Sequence, residues 1–75
     1  MIYKNDLIRL GFQKENELGH DYLAYSLDLD LRLVASLDDE ANLPLTVEFE
    51  PPQINISFTD EDDVKSLIQI IERNK

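Results

Sequence analysis

Cysteine is absent from this chain of 75 residues, and histidine occurs once. The first absence removes disulfides and thiolate metal sites, and the second removes multi-histidine metal sites. A chain this short buries only about 60% of its unfolded surface, so domains of this size commonly rely on a disulfide, a metal or oligomerisation. With the first excluded and no metal-ligand pattern present, any staple is a second copy or another partner. The missing cysteines also suit a reducing compartment. Glycine occurs only at Gly11 and Gly19, too far apart for a phosphate-cradling loop. No apolar run approaches the ~20 residues of a membrane span. The opening Met1-Ile2-Tyr3-Lys4-Asn5-Asp6 lacks the basic start and apolar stretch of a signal peptide. The expected location is the cytoplasm.

Positive charge is scarce and unevenly placed. Seven Lys and Arg face sixteen Asp and Glu, a formal net charge of −9. Residues 1–37 carry four basic and six acidic groups, whereas residues 38–63 carry nine acidic groups and no basic one. Residues 64–75 carry three basic groups and one acidic. Nucleic-acid binders gain most of their affinity by neutralising phosphates with Lys and Arg, so direct nucleic-acid binding is not expected. Anionic membranes are disfavoured for the same reason. A basic protein surface is the natural electrostatic complement, with plain solubility as the competing explanation of the charge.

Apolar residues are nonetheless 43% of the chain, and their spacing predicts one α+β domain spanning residues 1–75. Tyr3, Leu7 and Leu10 fall on one face of a short helix, with Asn5 as its cap and Gly11 just past its end, where a left-handed residue is favoured. Phe12 supplies the apolar contact that follows such an end. Residues 13–20 read as a loop or frayed edge. From Leu23 to Leu33 apolar residues alternate, the period of a half-buried strand, over a length that suggests a hairpin. A two-residue turn at Asp28-Leu29 would place charges on the apolar face. A three-residue loop, Asp28-Leu29-Asp30, opposes Leu27 with Leu31, Tyr25 with Leu33 and Leu23 with Ala35, and asks for a left-handed Asp30.

Residues 37–43 form an acidic connection containing Asp38, Asp39 and Glu40. Leu45, Val47 and Phe49 predict a third strand, Pro51-Pro52 a turn, and Ile54, Ile56 and Phe58 a fourth strand. Pairing Phe49 with Ile54 then sets Val47 against Ile56 and Leu45 against Phe58. Thr59 with Asp62 resembles a capping box, Asp60–Asp63 suit the positive end of a helix dipole, and Val64, Leu67, Ile68 and Ile71 form an apolar stripe. The expected fold is a four-stranded antiparallel meander with the C-terminal helix across one face and the short N-terminal helix alongside.

Little catalytic chemistry is on offer. His20 lies between Gly19 and Asp21 with no nucleophile nearby, and an ordinary surface histidine fits it better. An EF-hand counted from Asp28 meets Leu33 and Asp39 where Gly and Glu are required, and one counted from Asp60 meets Lys65 and Ile71. Asp60–Asp63 fit capping better than metal binding. Glu48 and Glu50 fit a solvated strand face better than a glycosidase pair. Neither catalysis nor a cofactor is expected.

The constellation that suggests binding is the sheet face opposite the leucines, which gathers Tyr22, Ala24, Ser26, Arg32, Val34, Thr46, Glu48 and Glu50. An apolar anchor with a charged rim is a common interface pattern. The simpler expectation is that the first helix, or residues 12–18, covers Tyr22 and Val34. The candidate partner-binding residues are therefore Tyr22, Val34, Glu48 and Glu50, with Asp38, Asp39 and Glu40 in the acidic connection.

The motifs Leu7-Ile8-Arg9-Leu10-Gly11-Phe12, Asp21-Tyr22-Leu23-Ala24-Tyr25, Thr46-Val47-Glu48-Phe49, Ile56-Ser57-Phe58-Thr59-Asp60 and Asp63-Val64-Lys65-Ser66-Leu67-Ile68 together cover most of the chain. Their layout resembles small uncharacterised acidic α+β proteins of bacteriophages and mobile elements. The resemblance implies a sheet with a C-terminal helix and an accessory-genome setting. It implies no activity, although that setting includes small acidic inhibitors of host defence. The expectation is thus a non-enzymatic acidic binding module that occludes a basic, nucleic-acid-binding surface of a host protein. An immunity-type protein neutralising a basic toxin is the first alternative. A structural or assembly subunit that self-associates, as a homodimer for instance, through Tyr22 and Val34 is the second.

Overall fold

The computed structural model describes residues 1–37, 43–50 and 54–74. Helix α1 (Lys4–Leu10) precedes strands β1 (Gln13–Glu17), β2 (His20–Asp28), β3 (Leu31–Ser36), β4 (Val47–Glu50) and β5 (Ser57–Phe58), and helix α2 (Glu61–Arg73) ends the order. The strands form one antiparallel sheet in the order β1-β2-β3-β4-β5. The meander is therefore as expected but has five strands among the described residues, because residues 13–17, read as a loop or frayed edge, form a paired edge strand. The acidic connection at 38–42, the prolines at 51–52 and Gln53 lie outside the described residues.

Helix α1 begins one residue after Tyr3, so Asn5 lies inside it and does not cap it. Asp6 does the capping work from within the first turn, accepting a hydrogen bond from the Tyr3 N–H at 2.9 Å. At the other end Gly11 is left-handed (φ 108°). Its N–H reaches the Ile8 carbonyl and the Phe12 N–H reaches the Leu7 carbonyl. These are the two bonds of a Schellman motif, and they satisfy carbonyls that a helix end would otherwise leave open.

The β1–β2 hairpin closes on Leu18-Gly19, both with positive φ (54° and 80°) between the pair Glu17 and His20. Such a two-residue turn matches the right-handed twist of its strands. In the β2–β3 hairpin, Leu23 opposes Ala35 and Tyr25 opposes Leu33, as the alternation predicts. The last pair differs. Asp28 opposes Leu31, the register shifts between Ser26 and Asp28, and Leu29-Asp30 forms a two-residue turn. Among the described residues Leu18 is the only non-glycine with positive φ, so Asp30 is not left-handed. A β-bulge explains the difference: it absorbs one residue and leaves Leu27 buried on the apolar face.

Between β4 and β5, Val47 opposes Phe58 and Glu48 opposes Ser57. This register is two residues from the expected one. A two-residue slip keeps every side chain on its face, so alternation alone does not distinguish the two. The observed register sets Phe58 beside Val47, with its ring 5.8 Å from that of Phe49, and leaves Ile54 and Ile56 exposed. Leu45 joins the sheet through an isolated bridge to Ile2, its N–H donating to the Ile2 carbonyl at 2.7 Å.

Helix α2 is capped by Asp60, not Thr59, with its carboxylate accepting from the Asp62 N–H at 2.9 Å. Glu61, Asp62 and Asp63 occupy the first turn and Arg73 the last, in keeping with the helix dipole. Val64 and Ile68 are buried, and Leu67 and Ile71 pack beside them. One core joins these residues to Leu7 of α1, to Leu23, Leu27, Leu33, Ala35 and Val47 of the sheet, and to Ile2, Phe12 and Leu45. Both helices thus pack on a single face of the sheet, and among the described residues the opposite face is open. Tyr22 and Val34 are covered neither by α1 nor by residues 13–17, which extend the sheet sideways.

Candidate functional site: the open sheet face

Directly opposed residues of neighbouring antiparallel strands project to the same side. The pairings Gln13–Ala24, Ala24–Val34, Val34–Glu48 and Glu48–Ser57 make one continuous row across all five strands. At about 4.8 Å per strand the row spans roughly 19 Å. A second row runs Glu15–Tyr22–Ser36, and a third runs Ser26–Arg32–Glu50. The centre is made of short or apolar side chains, and carboxylates stand toward both edges. Ala24 is buried even here, while Tyr22 and Val34 are half-buried.

The structure brings together Tyr22, Val34, Glu48 and Glu50. Asp38, Asp39 and Glu40 lie outside the described residues. Glu50 differs from Glu48 in one decisive respect: it is ion-paired with Arg32. The Arg32 guanidinium also lies 5.9 Å from the centre of the Tyr22 ring. Hydrogen bonding to Glu50, and then to Tyr22, raises the Arg32 pKa still further above its ordinary value. Arg32 therefore stays charged, neutralises Glu50 locally and shields part of the Tyr22 ring.

Two carboxylates missed by the sequence reading take the place of Glu50. Glu15 opposes Tyr22 and Glu17 opposes His20, so both belong to the open face. Among the described residues neither they nor Glu48 has an ion-pair partner. Leu18-Gly19 was the available signal, since a glycine in a two-residue turn marks a hairpin. It was weakened by the lack of any alternation in Gln13–Glu17, all of whose residues are exposed.

On the reverse side of β1 the charges are satisfied. Asp21 accepts a hydrogen bond from Asn16 Nδ2 at 2.7 Å and lies 3.6 Å from Lys14 Nζ. The Asn16 bond, followed by the field of Lys14, holds the Asp21 carboxyl below its usual range.

A depression of about 230 Å³ adjoins the open face, lined by Val34, Ser36, Pro44, Leu45, Thr46 and Glu48. It offers one carboxylate and two hydroxyls beside Val34, Pro44 and Leu45. Among the described residues no polar or charged side chain is buried and no group of three potential metal ligands occurs. No helix among them is long and apolar enough to cross a membrane. No protein-family model, no curated protein and no solved structure matches the chain.

Proposed function

We propose that this protein is a non-enzymatic binding module whose open sheet face engages a basic protein surface. The observation that carries the reading is the arrangement of Glu15, Glu17 and Glu48 around half-buried Tyr22 and Val34 in a chain of net charge −9. The aromatic and aliphatic centre supplies area to bury, and the unpaired carboxylates supply steering and orientation. Glu15 and Glu17 are two residues apart on one strand, about 6.8 Å, and can stand where successive phosphates of a nucleic acid would. Such a face suits an inhibitor that occludes a nucleic-acid-binding site of a host protein in a phage or mobile-element setting. The same chemistry serves an immunity-type protein held against a basic toxin, and the identity of the captured protein separates the two.

The test is affinity capture from a host lysate at ~0.15 M and ~0.5 M salt, where shorter screening lengths weaken surface charge. Basic proteins are expected at low salt and should be lost at high salt. The variant Glu15→Lys with Glu48→Lys should abolish capture while leaving the fold intact, because both side chains are exposed. Glu50→Lys is a poorer probe, since it also breaks the pair with Arg32. Undiminished capture by the Glu15/Glu48 variant, or an acidic partner, would overturn the proposal.

A further inference from the structure

The strand order leaves two sheet edges, β1 and β5, and they are built differently. Folded proteins commonly defend an edge with charged side chains, which prevent another chain from adding a strand. β1 is defended in this way by Lys14, Glu15 and Glu17, all exposed. The β5 edge carries no such defence. Residues 51–59 contain no charged side chain, the longest such run in the chain. Within it Ile54 and Ile56 are 38% and 56% exposed, outside the core that holds Leu23, Leu27, Leu33 and Val47 of the sheet.

We propose that the β5 edge pairs antiparallel with the same edge of a second copy of this chain, about a two-fold axis at Ile56. The register follows from self-complementarity. With Ile56 on the axis it meets Ile56 of the second copy, Ile54 meets Phe58, and Asn55 meets Ser57. Apolar positions oppose apolar ones, polar oppose polar, and no carboxylate is opposed to another. A slip of one residue sets Ile56 against Ser57 and destroys the match. The pairing lengthens β5 from Ser57–Phe58 back through Ile54 and joins two sheets of five strands.

A second copy is the occupant that the charge distribution favours. Two chains of −9 repel unless they meet through a neutral segment, and residues 51–59 are the longest one available. A basic strand would find no carboxylate among residues 51–59 to pair with. The acidic start of α2 does not oppose the pairing. Asp60 lies four positions from the axis, so its two copies stand about 27 Å apart along the ribbon. That is about three screening lengths at physiological salt.

Sedimentation equilibrium of the purified protein tests the inference without any other partner, so its outcome is independent of the function proposed above. At ~0.15 M salt, over a concentration series of about 10 µM to about 1 mM, the mass should rise by mass action from 8.7 kDa toward twice that value. Ile56→Lys places two like charges on the axis and should hold the mass at the monomer value, with an unchanged circular-dichroism spectrum. Val34→Lys, on the open face, should still dimerise. A wild-type chain that remains monomeric throughout overturns the inference. So does a folded Ile56→Lys variant that dimerises, or loss of the dimer in Val34→Lys.

Discussion

A methyl group built on Gly11 would lie 3.1 Å from Cε2 of Tyr25. The end of α1 and the middle of β2 are in contact at that point, and the Tyr25 ring also packs against Phe12 with ring centres 5.5 Å apart. Gly11 therefore carries two requirements, a left-handed backbone and the absence of a side chain. Gly11→Ala should cost about 1–2 kcal/mol from the backbone conformation alone, with the crowding against Tyr25 added. Urea unfolding should show a lower midpoint at an unchanged slope. A midpoint equal to the wild type would remove the case for the Schellman motif as a stabilising feature.

Leu18 presents the opposite situation. It holds φ at 54° with a side chain that is 100% exposed. A left-handed backbone disfavours leucine and is tolerated by asparagine. Because no burial is lost, Leu18→Asn should stabilise the protein by about 1 kcal/mol. For a domain of this size that raises the thermal midpoint by about 4–8 °C. A lower midpoint would mean that Leu18 makes a contact in solution that its exposure does not suggest.

Asp21 is expected to titrate below the ordinary carboxylate range, because Asn16 and Lys14 favour its charged form. Its folded pKa is lower than its unfolded one. The associated stabilisation is complete above the unfolded value of about 3.9 and is lost as pH falls through the lower folded value. Asn16→Ala should move the Asp21 titration upward, as followed by the carboxyl carbon shift in NMR, and should leave stability less dependent on pH in the acid range. An Asp21 pKa unchanged by the substitution would point to Lys14 as the main influence.

Ile2 is fully buried and tied to Leu45 through the bridge that extends β4, whereas Ile8, one turn into α1, is 46% exposed. Truncating a buried isoleucine to alanine typically costs 2–5 kcal/mol. For a chain of this length, total stability is only about 4–11 kcal/mol. Ile2→Ala should thus lose a large fraction of the total stability, while Ile8→Ala should fall within about 1 kcal/mol of wild type. Chemical denaturation of both variants checks the contrast, and equal losses would contradict the placement of Ile2 in the core.

Particular residues mark where the sequence was legible. The stripe Val64, Leu67, Ile68 and Ile71 and the glycine at position 11 were readable because helix periodicity and a left-handed helix end are local properties. The pairs Leu23–Ala35 and Tyr25–Leu33 were readable because alternation specifies a face. The bulge beside Leu27 was not, since a two-residue turn looks incompatible with that alternation until one strand takes up an extra residue. The Val47–Phe58 register was hidden for a related reason: slips of two residues preserve the face. Strand β1 escaped notice because an edge strand with both faces exposed has no hydrophobic period to display.

The candidate site divides along the same line. Tyr22, Val34, Glu48 and Glu50 were placed on one face by period-two alternation within strands, and net charge suggested the kind of partner proposed. The tertiary structure alone decided that both helices pack on the other face and that no described element covers this one. It also decided that Glu15 and Glu17 join the site, and that Arg32 neutralises Glu50. Composition and periodicity act along the chain and determined the class of fold, the end of α1 and the polarity of each strand face. Which carboxylate stands free and which is paired depends on strand neighbours distant in sequence, and only packing the whole sheet brings those together.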